Sequence, residues 1–305
     1  MIKNNLMKIT KQSIIKQLFD LGIREGDVVF VAADLMKVGY FNKSIKNTLR
    51  DWIYIFDTVL GESGTIVIPS YSPTWLRFIK DPDFIFTVDS PSNSGSMAKA
   101  YLEFANEKIR GTHPTASCIV KGYHAKYISS RNTEKHLKYE PYKSIVELKG
   151  KGLLLGTVDR RNGPFTFHYA QQHLGHTTRH PYSGLLKTRY IDVDGDIKDF
   201  IVREIGGCTA GLHKSWGHHL EKNAVTFGPV GRSLSALFDA QKSSQIFIEL
   251  LGSKPYPLKC DNIECLSCYG RFRYNGLAAY WYYLKAFHIL LNKLFQKLKS
   301  SNYNA

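Results

Sequence analysis

Within its first 70 residues the chain twice repeats the same pair, a stretch of helical hydrophobic period followed by a short, almost wholly apolar run. In residues 10–22, Ile14, Ile15, Leu18, Phe19 and Leu21 recur at helical spacing, with Thr10 placed to cap the start and Gly22 to stop the end. Residues 27–33 (DVVFVAA) then read as a buried strand. Residues 45–60 repeat the helix, closed by Gly61, and residues 65–69 (TIVIP) repeat the strand. Helix then buried strand, twice over, predicts an α/β architecture.

The pattern continues less regularly. Residues 70–93 form a loop rich in Pro, Asp and aromatics, too long for a plain connector and therefore expected to serve function. A helix is expected over 94–104, strands over 116–120 and 152–155, and a helix over 166–174. Residues 190–193 and 199–202 alternate around Asp194-Gly195, a hairpin signature. The last core elements read as a helix over 233–240 and a strand over 246–250. No linker divides this stretch, so one domain is expected over 1–275, with a tail over 276–305.

Composition narrows the function classes. With 43% hydrophobic and 22% charged residues the chain is globular. Its net charge of +15 fits either an anionic partner or a lysine-rich surface. The basic residues are spread along the chain and gathered into no arm, so no nucleic-acid partner is expected. The start shows no apolar signal region and no run of eighteen apolar residues occurs, which leads to the expectation of a cytoplasmic protein. Five cysteines in such a chain favour free thiols or a metal site over a disulfide frame.

Four segments occur in an order that resembles one family. They are Gly64-Thr65-Ile66-Val67-Ile68-Pro69-Ser70-Tyr71-Ser72; Arg110-Gly111-Thr112-His113-Pro114-Thr115-Ala116-Ser117; the stretch from Glu140-Pro141 to Gly152-Leu153-Leu154-Leu155-Gly156; and Phe167-His168-Tyr169-Ala170, with Gly228-Pro229-Val230-Gly231 farther on. Together they resemble the aminoglycoside 3-N-acetyltransferases over about residues 8–270. The resemblance implies that family's mixed α/β fold, a central mixed sheet flanked by helices, and acetyl-CoA as donor to a substrate amine. It puts His168 at the family's catalytic histidine and Glu204 near the acidic cluster that orients it; for Glu204 an ordinary ion pair is the other reading. Asp34, Thr112, His113 and Ser117 fall where coenzyme A contacts are expected, with a structural role also open for His113. Tyr71, Trp75, His136 and Gln171 are the expected substrate contacts, although Tyr71 and Trp75 could equally belong to a hydrophobic lid and His136 could equally be a surface residue.

The chain departs from the family at Ala32-Ala33-Asp34, at Gln171, which replaces a glutamate, and at Gly206, where some members carry an aspartate. Fewer carboxylates make a less anionic acceptor pocket, and an aminoglycoside polycation wants an acidic one. The expected acceptor is therefore an amine of an amino sugar, nucleotide-linked and used in surface-polysaccharide synthesis, with antibiotic acetylation or a catalytically impaired binding protein as alternatives.

The chemistry needs a proton acceptor. An ammonium must lose a proton before it attacks a thioester, and an imidazole oriented through its other nitrogen suits that task. The tetrahedral oxyanion needs N–H donors, for which the turn over 156–165 is the candidate. His218 and His219 read as surface residues. Cys260, Cys265 and Cys268 carry zinc-ligand spacing, with Cys208 the candidate fourth ligand and His213 its rival, so a structural zinc is weighed against free thiols. In the tail, Tyr280, Trp281, Leu284, Phe287, Leu291, Leu294 and Leu298 form an apolar helix face among lysines. That face is expected to pack on its own domain or a twin subunit, with peripheral contact at an inner membrane as the alternative.

Overall fold

The computed structural model describes residues 9–253 apart from 43, 80–82, 159–162 and 181, and beyond them residues 258–262, 264, 265, 268, 280, 283–289, 291 and 292. Helix α1 (Lys11–Leu21) opens at Thr10, whose hydroxyl accepts from the Ser13 N–H while the Ser13 hydroxyl accepts from the Thr10 N–H. Gly22, at φ 117°, ends it in a left-handed turn. Then follow β1 (Val28–Ala33), the one-turn α2 (Leu35–Val38), α3 (Ile45–Leu60), β2 (Thr65–Tyr71), β3 (Trp75–Leu76), α4 (Ser96–Phe104), β4 (Ile109–Arg110) and β5 (Ala116–Gly122). The middle of the chain forms α5 (Ala125–Ser130), α6 (Glu140–Glu147), β6 (Lys151–Leu155), α7 (Thr166–His173), β7 (Leu186–Ile191) and β8 (Ile197–Val202). A 3₁₀ turn (Leu212–Ser215) leads into α8 (Trp216–Glu221), β9 (Val225–Val230), β10 (Ser233–Asp239) and α9 (Ala240–Ser253).

Seven strands make one sheet in the order β4-β5-β2-β1-β6-β10-β9. β1 runs parallel to β2 and β6, and the outer pairs are antiparallel. The central strands are buried on both faces, and alternate residues feed two cores. Val29, Val31, Ile66, Ile68, Leu153 and Leu155 pack with Leu18 of α1, Trp52 and Phe56 of α3 and Tyr101 of α4. Val28, Phe30, Val67, Leu154 and Phe238 pack on the other face with Ile128, Tyr142 and Ile145. Gly152 lets Phe238 cross β6, since a β-carbon there would lie 1.9 Å from the Phe238 ring. The mixed sheet between helical layers is the expected fold.

A second sheet, β3-β7-β8, carries the expected hairpin, whose strands run longer than the alternation predicted and turn over 192–196. Two late elements differ from expectation. Residues 233–240 are chiefly strand β10, pairing with both β6 and β9, and residues 246–250 lie inside helix α9. A short apolar run carries no period of its own, and the neighbours decide. Buried positions Ala240, Ser243, Ser244, Phe247 and Leu251 recur every three or four residues, so the helical period spans the whole of 240–251. Most of the expected tail over 276–305 lies outside the described residues, of which 283–289 are helical. No helix among the described residues is long and apolar enough to cross a membrane.

His219 is fully buried, contrary to the surface reading, while His218 is exposed. Its Nδ1–H donates to the Ser215 carbonyl at 2.8 Å, and its Nε2 lies 2.8 Å from the Ser243 hydroxyl, itself 2.6 Å from the Thr166 hydroxyl. This row joins α8, α9 and the start of α7. Burial, reinforced by His218 and opposed by the Ser215 carbonyl, pushes the His219 pKa down to about 4. The unfolded chain takes up this proton near pH 6.5, so stability is lost as pH falls from there towards 4, by up to about 1.4 kcal/mol per pH unit. Urea unfolding between pH 7 and 4.5 should therefore show a shallower loss in His219→Gln than in the parent; equal slopes would contradict a neutral buried imidazole.

Candidate functional site

Helix α7 has a committed buried side. Phe167 and Ala170 are fully buried against Leu212, Phe247, Leu251 and Leu258. His168 between them is half-buried, and its ring is held by its neighbours. One helical turn on, the buried Gln171 sets its Oε1 3.1 Å from His168 Nδ1. The Tyr139 ring stacks on the imidazole with centroids 5.0 Å apart and planes 8° from parallel. Gly206 closes a further side, where a β-carbon would lie 2.3 Å from the Tyr139 hydroxyl and 2.5 Å from His168 Nδ1.

Those neighbours are themselves held. The Tyr139 N–H donates to Gln172 Oε1 at 2.8 Å, and Gln172 Nε2 reaches Glu140 at 3.3 Å, tying the start of α6 to α7. Tyr139 packs at 5.4 Å on Tyr142, which meets Phe30 and Phe165 edge-on. The hydroxyls of Tyr142 and Tyr71 are hydrogen-bonded, and burial raises both phenol pKa values. Tyr71 thus joins His168 through a row of three tyrosines. Gln171, Gly206, Tyr139, Tyr142 and Gln172 were not read from the sequence as a set around His168; the i,i+3 spacing of His168 and Gln171 on a helix was the available signal.

A cleft of about 510 Å³ opens among residues 113–115, 134–138 and 199–204, and His168 is not one of its lining residues. Its lining residues Lys138 and Glu204 are followed, one and two positions on, by Tyr139 and Gly206, which touch His168. Glu134, Asp199 and Glu204 line it together with Lys135, Lys138 and Arg203, so its charges are mixed. Glu204 was expected to pair with His168. Instead its carboxylate accepts from the Lys138 N–H and, at 3.1 Å, from the Thr177 hydroxyl. Burial raises its pKa, against the opposing pull of those bonds. Burial likewise lowers the pKa of Lys138, with Glu204 opposing.

His113 also lines the cleft. Its Nδ1 accepts from the Ala116 and Thr115 N–H groups at 3.1 and 3.3 Å, and its ring meets Phe200 edge-on. Burial, with Lys138 adding to it, pushes its pKa down to about 3, so it stays neutral. His136 lies at the exposed rim, 2.8 Å from the Thr133 hydroxyl. Thr112 is exposed and donates to Glu134 at 3.4 Å.

The other expected residues sit elsewhere. Asp34 caps α2, accepting from the Met36 and Lys37 N–H groups. Trp75 pairs with β7 and packs on Phe84 at 5.6 Å. Ser117 is fully buried: its hydroxyl donates to the Ser70 carbonyl and accepts from Arg110 Nε at 3.0 Å. A cofactor cannot touch it there without displacing that network. Arg110, given no role from the sequence, reaches the carbonyls of Ser70, Val88 and Ser90 and stacks on Phe86, anchoring the 70–93 loop. The expected oxyanion turn over 156–165 includes 159–162, outside the described residues; within it the Gly156 N–H donates to the Ser235 hydroxyl. The sulfurs of Cys208, Cys260, Cys265 and Cys268 gather in one place, each within 4.8 Å of the others.

A family model described as aminoglycoside 3-N-acetyltransferase matches residues 30–252. Among solved structures, the apoenzyme of aminoglycoside acetyltransferase AAC(3)-IVa superposes with a TM-score of 0.71 at 21% identity, covering 90% of this chain and all of that one. A mutant of AAC(3)-IVa in complex with a gentamicin gives 0.70 at 21% identity over 88% and 98% of the two chains. AAC-IIIb in binary complex with CoASH gives 0.63 at 19%, over 81% and 97%. At these identities the structures establish a shared fold.

The fit around Gly206 leaves no space for a side chain. Gly206→Ala should displace the imidazole and lower turnover about 100-fold or more, measured by steady-state kinetics with acetyl-CoA as donor. Full turnover would count against His168 as a reacting group.

Proposed function

Because the chain belongs to the aminoglycoside 3-N-acetyltransferase family, we propose that this acetyl-CoA-dependent N-acyltransferase transfers acetyl to an amine of an amino-sugar acceptor, with His168 as general base. Family membership favours an aminoglycoside as that acceptor. The observation that carries the assignment of the base is the clamp on its imidazole. With Gln171 Oε1 as the acceptor at 3.1 Å, the proposed tautomer has its proton on His168 Nδ1 and its lone pair on Nε2. Tyr139 holds the plane of the ring.

The proposed reaction follows from that tautomer. The acceptor nitrogen gives a proton to His168 Nε2 as its lone pair attacks the thioester carbonyl. A C–N bond forms, the C–S bond breaks, and the proton passes from the imidazolium to the departing thiolate. Gln171 steadies the imidazolium less than a carboxylate would, since it adds a dipole and no charge. Glu204 faces the cleft and is proposed to hold an acceptor ammonium there, opposite Lys138. Acetyl-CoA is a cytoplasmic metabolite, which sets the proposed compartment.

A second reading of the acceptor has its own support. The cleft's mixed charges, Glu134, Asp199 and Glu204 with Lys135, Lys138 and Arg203, suit a molecule carrying both an ammonium and an anionic group, such as a nucleotide-linked amino sugar. An assay of CoASH release with gentamicin, apramycin and a set of nucleotide-linked amino sugars separates the two readings.

With whichever acceptor turns over, His168→Ala should cost about 10²–10⁴-fold in kcat; wild-type turnover in that variant would exclude His168 as base. Gln171→Glu places a negative charge beside the imidazolium and favours its protonated form. The acid limb of the pH–kcat profile should therefore move to higher pH. An unmoved limb would show that the titrating base is another group.

A further inference from the structure

We propose that Cys208, Cys260, Cys265 and Cys268 bind a zinc ion as four thiolates, and that the ion clasps residues 258–262, 265 and 268 onto the 206–212 strip that meets His168 at Gly206. The four sulfurs come from two distant parts of the chain, yet all lie within 4.8 Å of one another. A tetrahedral zinc with Zn–S bonds of about 2.3 Å sets its sulfurs about 3.8 Å apart. The Sγ atoms of Cys260 and Cys268 are 3.5 Å apart, near that edge and far beyond the roughly 2.05 Å of a disulfide. All four are free thiols.

The surroundings are those of a ligand set. The Ala210 N–H points at Cys208 Sγ at 3.4 Å and the Cys268 N–H at Cys265 Sγ at 3.5 Å, bonds that orient thiolates. Four sulfurs in a tetrahedral set select zinc or iron among the common metals. Zinc is the redox-inert choice for a site with no other visible chemistry.

The two segments fit together at several points besides the sulfurs. Gly211 lets the second segment approach, since a β-carbon there would lie 2.4 Å from the Leu258 carbonyl oxygen. Lys214 Nζ reaches the Lys259 carbonyl and the Asp261 carboxylate, each at 2.7 Å. Leu212 and Leu258 are both buried against Phe167 and Ala170, the residues that flank His168 on α7. Two residues before Cys208, Gly206 touches the imidazole. The clasp therefore holds a wall of the site, and the cysteines act as positioning residues. This second half rests on His168 being the base.

The full chain, purified without chelating resin, should contain one zinc per molecule by mass spectrometry of metals. An organomercurial should release that equivalent to a chromogenic chelator, and the zinc-free protein should melt several degrees lower. Its kcat should fall about 10-fold or more while the KM for acetyl-CoA changes little. A Cys265→Ser/Cys268→Ser variant should behave likewise; if it does not fold, the wild-type displacement carries the test. No bound metal, or iron in place of zinc, overturns the site. Stoichiometric zinc whose removal leaves kcat unchanged overturns the positioning role. Stoichiometric zinc in a protein with no transferase activity upholds the site and overturns the functional reading.

Discussion

An imidazole can accept a proton only at the nitrogen that lacks one, so a histidine base is defined by what its other nitrogen touches. For the proposed base His168 that contact is Gln171 Oε1, 3.1 Å from Nδ1. The arrangement around the ring serves it. Tyr139 fixes the plane, Gln172 fixes Tyr139, and the missing side chain of Gly206 leaves the pair its space. A neutral partner here separates orientation from charge. In the proposed tautomer Gln171 orients the ring without the electrostatic support a carboxylate would give the imidazolium.

The fold delivers these groups from several elements. The buried strands β1, β2 and β6 set the layers, and α6 and α7 lie over one face of that sheet with Tyr142 and Phe165 packed on Phe30. Just past the end of β8, Glu204 lines the cleft and Gly206 meets the His168 ring. The row Thr166–Ser243–His219–Ser215 pins the start of α7 to α8 and α9. The helix bearing the proposed base is thus held at its N-terminus by buried polar bonds and along its apolar side by Phe247 and Leu251.

Much of this was legible in the sequence. The paired helix and strand signals of the first 70 residues gave the layered sheet, because a strand without a polar face must be covered twice. The family motifs named His168 as the candidate base, and the cysteine spacing marked three of the four gathered sulfurs. What the sequence hid has a common physical reason. The mixed stretch 233–240 and the short apolar run 246–250 take their states from pairing with β6 and from the longer period of α9. Glu204 resembled a partner for His168 but is taken by Lys138 and Thr177. Ser117 looked available but is spent on Arg110 and the Ser70 carbonyl. Gly206 and Tyr139 meet the ring across gaps in sequence that no local pattern reveals.

The central claim is that His168 carries its proton on Nδ1 and offers Nε2 to the acceptor. A neutron structure at neutral to alkaline pH measures this directly. The account predicts a hydrogen on Nδ1, pointing at Gln171 Oε1, and no hydrogen on Nε2. A hydrogen on Nε2 with Nδ1 bare, and the Gln171 amide turned to donate, would contradict it.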